Sequence, residues 1–189
     1  MESNAPKIDN PKLIDRTIGD IQDGLIANLP WLNKAFGRAQ RLVKTINGKK
    51  HYTPNVYLKG NNYLPVSPDS KIGNFSFFFI EDPQVLERDI IPGTTGNVYT
   101  DFSLIFWFDL RTIFNDPDNR NTEQIKMDIL KVLNGGFHLR FGSLKINRVY
   151  ELAENIYKGF SLDEVDNQFL MHPFAGFRFT GEMTVIEDC

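Results

Sequence analysis

The spacing of apolar and polar positions divides the chain into a helical beginning and a strand-rich remainder. Ile14, Ile18, Ile21 and Leu25 recur at intervals of four, three and four, with Arg16, Asp20 and Asp23 between them, which predicts an amphipathic helix over about 11–28. Asn10 suits its N-cap and Pro11 its first helical position. Beyond Pro30 the same spacing returns in Ala35, Ala39, Leu42 and Ile46, so residues 31–46 read as a second helical segment, which Gly37 weakens. After Asn47-Gly48 the period becomes that of strands. Residues 56–58 and 63–66 are short strand candidates around the turn-forming Gly60-Asn61-Asn62. Phe75, Phe77, Phe78, Phe79 and Ile80 leave almost no polar face, the pattern of a strand buried on both sides. Residues 81–97 contain Pro83, Pro92, Gly93 and Gly96 and read as a long connection with its tip at 92–96.

In the second half, Phe102, Leu104, Phe106, Phe108 and Leu110 alternate with Ser103, Ile105, Trp107 and Asp109, predicting a central strand over 101–111. A polar loop, 115–121, leads to a helix over 122–133 in which Ile125, Ile129 and Val132 share a face. Asn121 and Gln124 resemble a capping pair there, and Asn134-Gly135-Gly136 ends the helix. Phe137, Leu139 and Phe141 alternate with His138 and Arg140, and Leu144 and Ile146 suggest a returning strand after Gly142-Ser143. Ser161 with Glu164 has the form of a capping box opening a short helix toward Phe169. In the last strand Phe177, Phe179, Met183 and Val185 oppose Arg178, Thr180, Glu182 and Thr184, one dry face and one wet. The order predicts a single α+β domain over 1–189: a mainly antiparallel sheet, helices packed on one side, an N-terminal helix, and residues 1–10 as a flexible arm.

Composition sharpens this picture in one respect. The 16 Phe, 6 Tyr and 2 Trp among 189 residues suit a sheet-rich core, and some of the rings suit a subunit interface. No apolar stretch approaches the roughly 20 residues a bilayer span requires. The N-terminus has no basic segment followed by an apolar run, and the single cysteine is Cys189, so secretion and a disulfide framework are unsupported and a reducing interior is expected.

Charge is unevenly laid out. Between Gly24 and Pro68 lie Lys34, Arg38, Arg41, Lys44, Lys49, Lys50 and Lys59 and no acidic residue, so this segment is +7; the net charge of −3 leaves −10 for the rest. On a helical reading, Lys34, Arg38 and Arg41 align along one side, opposite Ala35, Ala39 and Leu42; with Lys44 they are the candidate contacts to an acidic partner or DNA. A solvated helix face is the plainer explanation. No aromatics interleave with the row, which argues against a single-strand stacking platform.

Candidate chemistry is sparse. There is no G-x-S-x-G elbow, phosphate loop, H-E-x-x-H helix or G-x-G-x-x-G fingerprint. His51, His138 and His172 are too far apart to form a local metal site. Asp116-Pro117-Asp118-Asn119 lacks the glycine of a calcium loop. Asp163, Glu164 and Asp166 fit a helix start better than an acid–base pair, and Asn74-Phe75-Ser76 matches a glycosylation acceptor only by chance. No catalytic residue, metal or cofactor is expected.

The element order resembles the small α+β tail-terminator or tail-completion proteins of tailed bacteriophages, whose ring closes the tail tube at the head end. The likeness rests on the N-terminal helix, on the strand Phe102 to Leu110 followed by the helix Thr122 to Leu133, and on the closing segment Phe174 to Val185. It spans about 8–187 as a pattern, with 49–96 longer than the family's minimal core. The resemblance implies a non-enzymatic virion protein of the neck or tail, made in the host cytoplasm. Its implied partners are six or twelve copies of itself, neighbouring ring or tail-tube proteins and packaged DNA, with no membrane. Two other readings are a ligand-binding or enzymatic domain with 82–97 as a lid, and a nucleic-acid-binding module using 31–46.

Overall fold

The computed structural model describes residues 7–58, 60, 62–87, 96–116, 118–136, 139–163 and 165–186. The fold is α+β, and the described residues form one mixed, mostly antiparallel sheet of eight strands with four helices. Helix α1 spans Leu13–Asn28 and buries Ile14, Ile18, Ile21 and Leu25 as their spacing requires. It starts two residues later than expected: Lys12, not Asn10, holds the N-cap position, and no side chain caps it.

The larger departure is at 31–46. The predicted second helix is instead strand β1, Lys34–Ile46, which runs through a two-residue turn into β2, Lys49–Tyr57. Asn47 (φ 50°) and Gly48 (φ 77°) are both left-handed, the requirement of the tight hairpin turn that matches strand twist. β1 also pairs in parallel with β4, Phe75–Ile80, but only over its first residues: Lys34 aligns with Phe75, Ala35 with Ser76 and Arg38 with Phe78. One extra residue on β1 makes a bulge there, which turns the strand away from β4.

The remaining strands are β3 (Tyr63–Pro65), β5 (Val85–Glu87), β6 (Asn97–Asp109), β7 (Gly142–Tyr150) and β8 (Phe174–Ile186). Their order is β3-β2-β1-β4-β6-β8-β7, with β5 beside the start of β6. β6 is central, as expected, but both of its faces are covered. Phe102, Leu104, Phe106 and Phe108 pack beneath α1 and α3 (Thr122–Lys131), while Ile105 and Trp107 pack with Phe75, Phe77 and Phe174 on the other side. That second layer is closed by α4 (Ala153–Ile156), Tyr157 and Phe169 of the short 3-10 turn Asn167–Leu170. The two long helices therefore share one face, and short turns cover the other.

Smaller expectations divide. Asn121 Oδ1 accepts from the Gln124 main-chain N–H at 3.2 Å and caps α3, which ends in a wide turn, Val132–Gly136. The central strand stops at Asp109, and Leu110–Ile113 forms the helical turn α2. Residues 139–141 do not form the expected strand, and 137 and 138 lie outside the described residues. Ser161 opens no helix: its hydroxyl accepts from the Tyr52 N–H at 3.0 Å, and Asp166 caps the 3-10 turn instead. Residues 1–6 of the expected N-terminal arm, residues 88–95 of the expected lid, and Glu164, His138, Lys59 and Cys189 also lie outside the described residues. Among the described residues no helix is long and apolar enough to cross a membrane.

Candidate functional site

The candidate contacts Lys34, Arg38, Arg41 and Lys44 lie on β1, so they do not form one helical row. Lys34 and Arg38 stay at the root of the hairpin, where Arg38 Nη1 lies 3.6 Å from Asp15 Oδ1 of α1. Past Arg38, β1 pairs only with β2, and residues 39–46 with 49–56 form a hairpin arm whose base is flanked by β3 beside Asn55 and Val56 and by Ser161 beside Tyr52. Arg41 and Lys44 belong to this arm and meet Lys49 and Lys50, which the sequence places after the turn.

Directly paired residues share a face, so the arm has two distinct sides. One carries Leu42, Lys44, Ile46, Lys49, His51 and Thr53. It is anchored by the 161–163 segment: Lys49 Nζ donates to Asp163 at 3.0 Å, and His51 Nδ1, itself buried, lies 3.9 Å from the same carboxylate. The other side carries Arg41, Val43 and Thr45 with Lys50 and Tyr52. Here the Arg41 guanidinium sits 5.3 Å over the Tyr52 ring, and Val43, paired across from Tyr52, is 53% exposed. Lys44 and Lys50 form no ion pair among the described residues.

The charges of α3 are balanced in place, Glu123 and Asp128 against Lys126 and Lys131. Lys126 of α3 bonds both Glu123 and Glu151, which brings α3 against the turn after β7. Those two hydrogen bonds, Glu123 first, raise the Lys126 pKa above the ordinary lysine value and keep its charge. Next to these residues in sequence, Met127 and Leu152 are exposed apolar side chains.

Two clefts adjoin the arm root. One, of about 950 Å³, lies between α1 and β1; its charges are matched in place, Arg38 with Asp15, Arg140 with Asp20 and Lys7 with Asp23. The other, of about 980 Å³, has Arg178 at its base. Arg178 was expected on the wet face of β8 but is 6% exposed, and its Nε donates to Ser103 Oγ at 2.9 Å, Nη1 to the Lys158 carbonyl at 2.8 Å and Nη2 to Glu81 at 2.8 Å. A buried guanidinium with partners on all three nitrogens ties β4, β6 and β8 together. Sequence periodicity gives no signal for it, because alternation places Arg178 correctly on its face without showing that the face is covered there.

Asp163 and Asp166 serve the hairpin anchor and the 3-10 cap, and Asp116 accepts from the Asp118 N–H in its own loop. Among the described residues no three His, Cys, Asp or Glu side chains are grouped to hold a metal. The arrangement offers a basic hairpin surface. The chain matches no protein-family model and no curated protein.

Proposed function

We propose that the protein is a structural subunit of the neck or tail of a tailed-bacteriophage particle, acting by assembly into a ring of identical copies and by docking on neighbouring rings. The observation that supports this reading most is the separation of charge. Arg41, Lys44, Lys49 and Lys50 gather on the hairpin of β1 and β2, within a segment of +7, while the rest of the chain is −10. A basic arm on a chain whose remainder is acidic favours head-to-tail association, and such contacts close into rings when the rotation between copies divides a full turn. The succession of N-terminal helix, aromatic strand, helix and closing strand that carries the resemblance to tail-terminator proteins is present as α1, β6, α3 and β8.

Native mass spectrometry and sedimentation of the full chain, at up to millimolar concentration and low salt, test the reading. A closed assembly, six or twelve copies on the resemblance, that loosens as salt rises is the expected result. A strict monomer across that range, or reproducible turnover of a substrate by the purified chain, overturns it.

A further inference from the structure

We propose that the cleft with Arg178 at its base and the side of the arm that carries Arg41 form one track for a single-stranded nucleic acid. It goes beyond the ring reading and does not depend on it, since every residue of the track belongs to one chain. The cleft is lined by Arg41, Arg148 and Lys158, which are exposed and form no ion pair among the described residues. Arg178 gives one N–H from each nitrogen to Ser103, Lys158 and Glu81, so two of the five donors of its guanidinium are left. Its bond to Glu81 also neutralises one acid of the cleft, leaving Asp82 and Asp101. Arg41 joins the cleft to the arm: Lys50, on the same face, lies opposite Thr45, four positions beyond Arg41 and about 13 Å along the strand. Four unpaired cations against two carboxylates, spread over several times the spacing of successive phosphates, suit a chain of phosphates rather than a single anion.

The fold also adds the rings that the basic row lacks in sequence. Tyr52 of β2 lies under the Arg41 guanidinium at 5.3 Å with Val43 paired across from it, and Tyr150 lines the cleft two residues from Arg148 on β7. Single strands are held in this way, with bases stacking on aromatic rings and guanidinium planes while the cations follow the backbone. A duplex keeps its bases paired inside and presents phosphate and sugar, so it would use the cations and leave Val43 and the two tyrosines without a role. An acidic peptide answers the cations, but most of its side chains have no flat face for the tyrosines.

The test is fluorescence anisotropy of a labelled oligothymidylate of about 20 nucleotides with the full-length chain, run beside a duplex of the same length and polyglutamate. The single strand should bind at least about tenfold tighter than either. Four phosphate contacts give a salt slope of about −3, so raising NaCl from about 50 to about 200 mM should weaken binding about fiftyfold. Arg148→Ala with Lys158→Ala, and separately Arg41→Ala with Lys50→Ala, should each cut that slope to about half, and because these four side chains are exposed the variants should melt like the parent. Tyr52→Leu should cost at least about fivefold in affinity and leave the slope unchanged. No binding of the single strand at the lower salt, duplex or polyglutamate bound as tightly, or a slope untouched by both alanine pairs overturns the track. Native mass spectrometry of the same samples separates the two readings: a monomer that binds the single strand overturns the ring and keeps the track, and a ring that does not bind it does the reverse.

Discussion

Asn74, at the start of β4, offers the sharpest test of how this fold is held, because one 2%-exposed side chain joins three segments. Its Nδ2 donates to the Trp31 carbonyl at 2.9 Å and to Thr112 Oγ1 at 2.8 Å, and its Oδ1 accepts from the Asp109 N–H at 2.9 Å. The segment after α1, the start of β4 and the β6–α2 corner therefore depend on one amide. Asn74→Ala removes all three bonds and strands a carbonyl and an N–H where water enters poorly. Each orphaned group costs about 1–3 kcal/mol, and shared relaxation makes the total less than the sum, so we expect about 3 kcal/mol. For a chain of this length that corresponds to a melting point lower by about 6–12 °C. Asn74→Asp keeps the acceptor but turns a carboxylate oxygen toward the Trp31 carbonyl, and it should cost at least as much. Urea titrations followed by circular dichroism and tryptophan emission, with an unchanged slope, would measure both. A loss below about 0.5 kcal/mol for Asn74→Ala would show that these bonds do not hold the corner. The same burial means that the acceptor motif Asn74-Phe75-Ser76 cannot carry a glycan on the folded chain.

Phe106, fully buried and edge-on to Phe179 at 5.9 Å, should cost about 3–5 kcal/mol when replaced by alanine, read as a lower urea midpoint; a melting point within a degree or two of the parent would contradict its central place. Gly181→Ala would set a Cβ 1.9 Å from the Lys145 carbonyl oxygen, so β7 must shift from β8 at a cost of about 3 kcal/mol, and amide exchange should quicken first along β7. At Asp109, burial raises the carboxyl pKa, but hydrogen bonds from the Arg111 side chain and N–H outweigh it and hold the group below the ordinary value. Its stabilisation is therefore present above the unfolded value of about 4 and is lost as pH falls through the lower folded value. The stability gap between the parent and Asp109→Asn should narrow from pH 5 toward pH 2, and a constant gap would refute that account.

Most of the fold was legible because burial imposes period. Four isoleucine and leucine positions mark α1, and the near-continuous phenylalanines of 75–79 mark β4 as a doubly covered strand, whereas β6 was legible as central but not as covered on both faces. β1 was misread for a specific reason. Its bulge adds one residue, so Ala35, Phe36 and Ala39 are the buried residues and their spacing mimics a helical face; past Ala39 every residue of β1 is exposed or half-buried, which removes any period of two. The Asn47-Gly48 turn was the better guide. The basic row was legible as composition but not as shape, since only the pairing of 39–46 with 49–56 makes Lys49 and Lys50 its neighbours and separates Lys34 and Arg38 from it. The arm's Tyr52 carries no motif at all.

The bulge at Arg38 also sets a mechanical boundary inside a single strand. Ala35 and Phe36 lie in the two buried layers and should open only with the whole molecule, whereas Val43 to Lys50 are held by one partner strand and should exchange through local fraying. A load or a ligand taken up at the tip is thus met by the least protected hydrogen bonds in the strand. Ordering the tip costs entropy there and leaves the packing of β4 and β6 untouched.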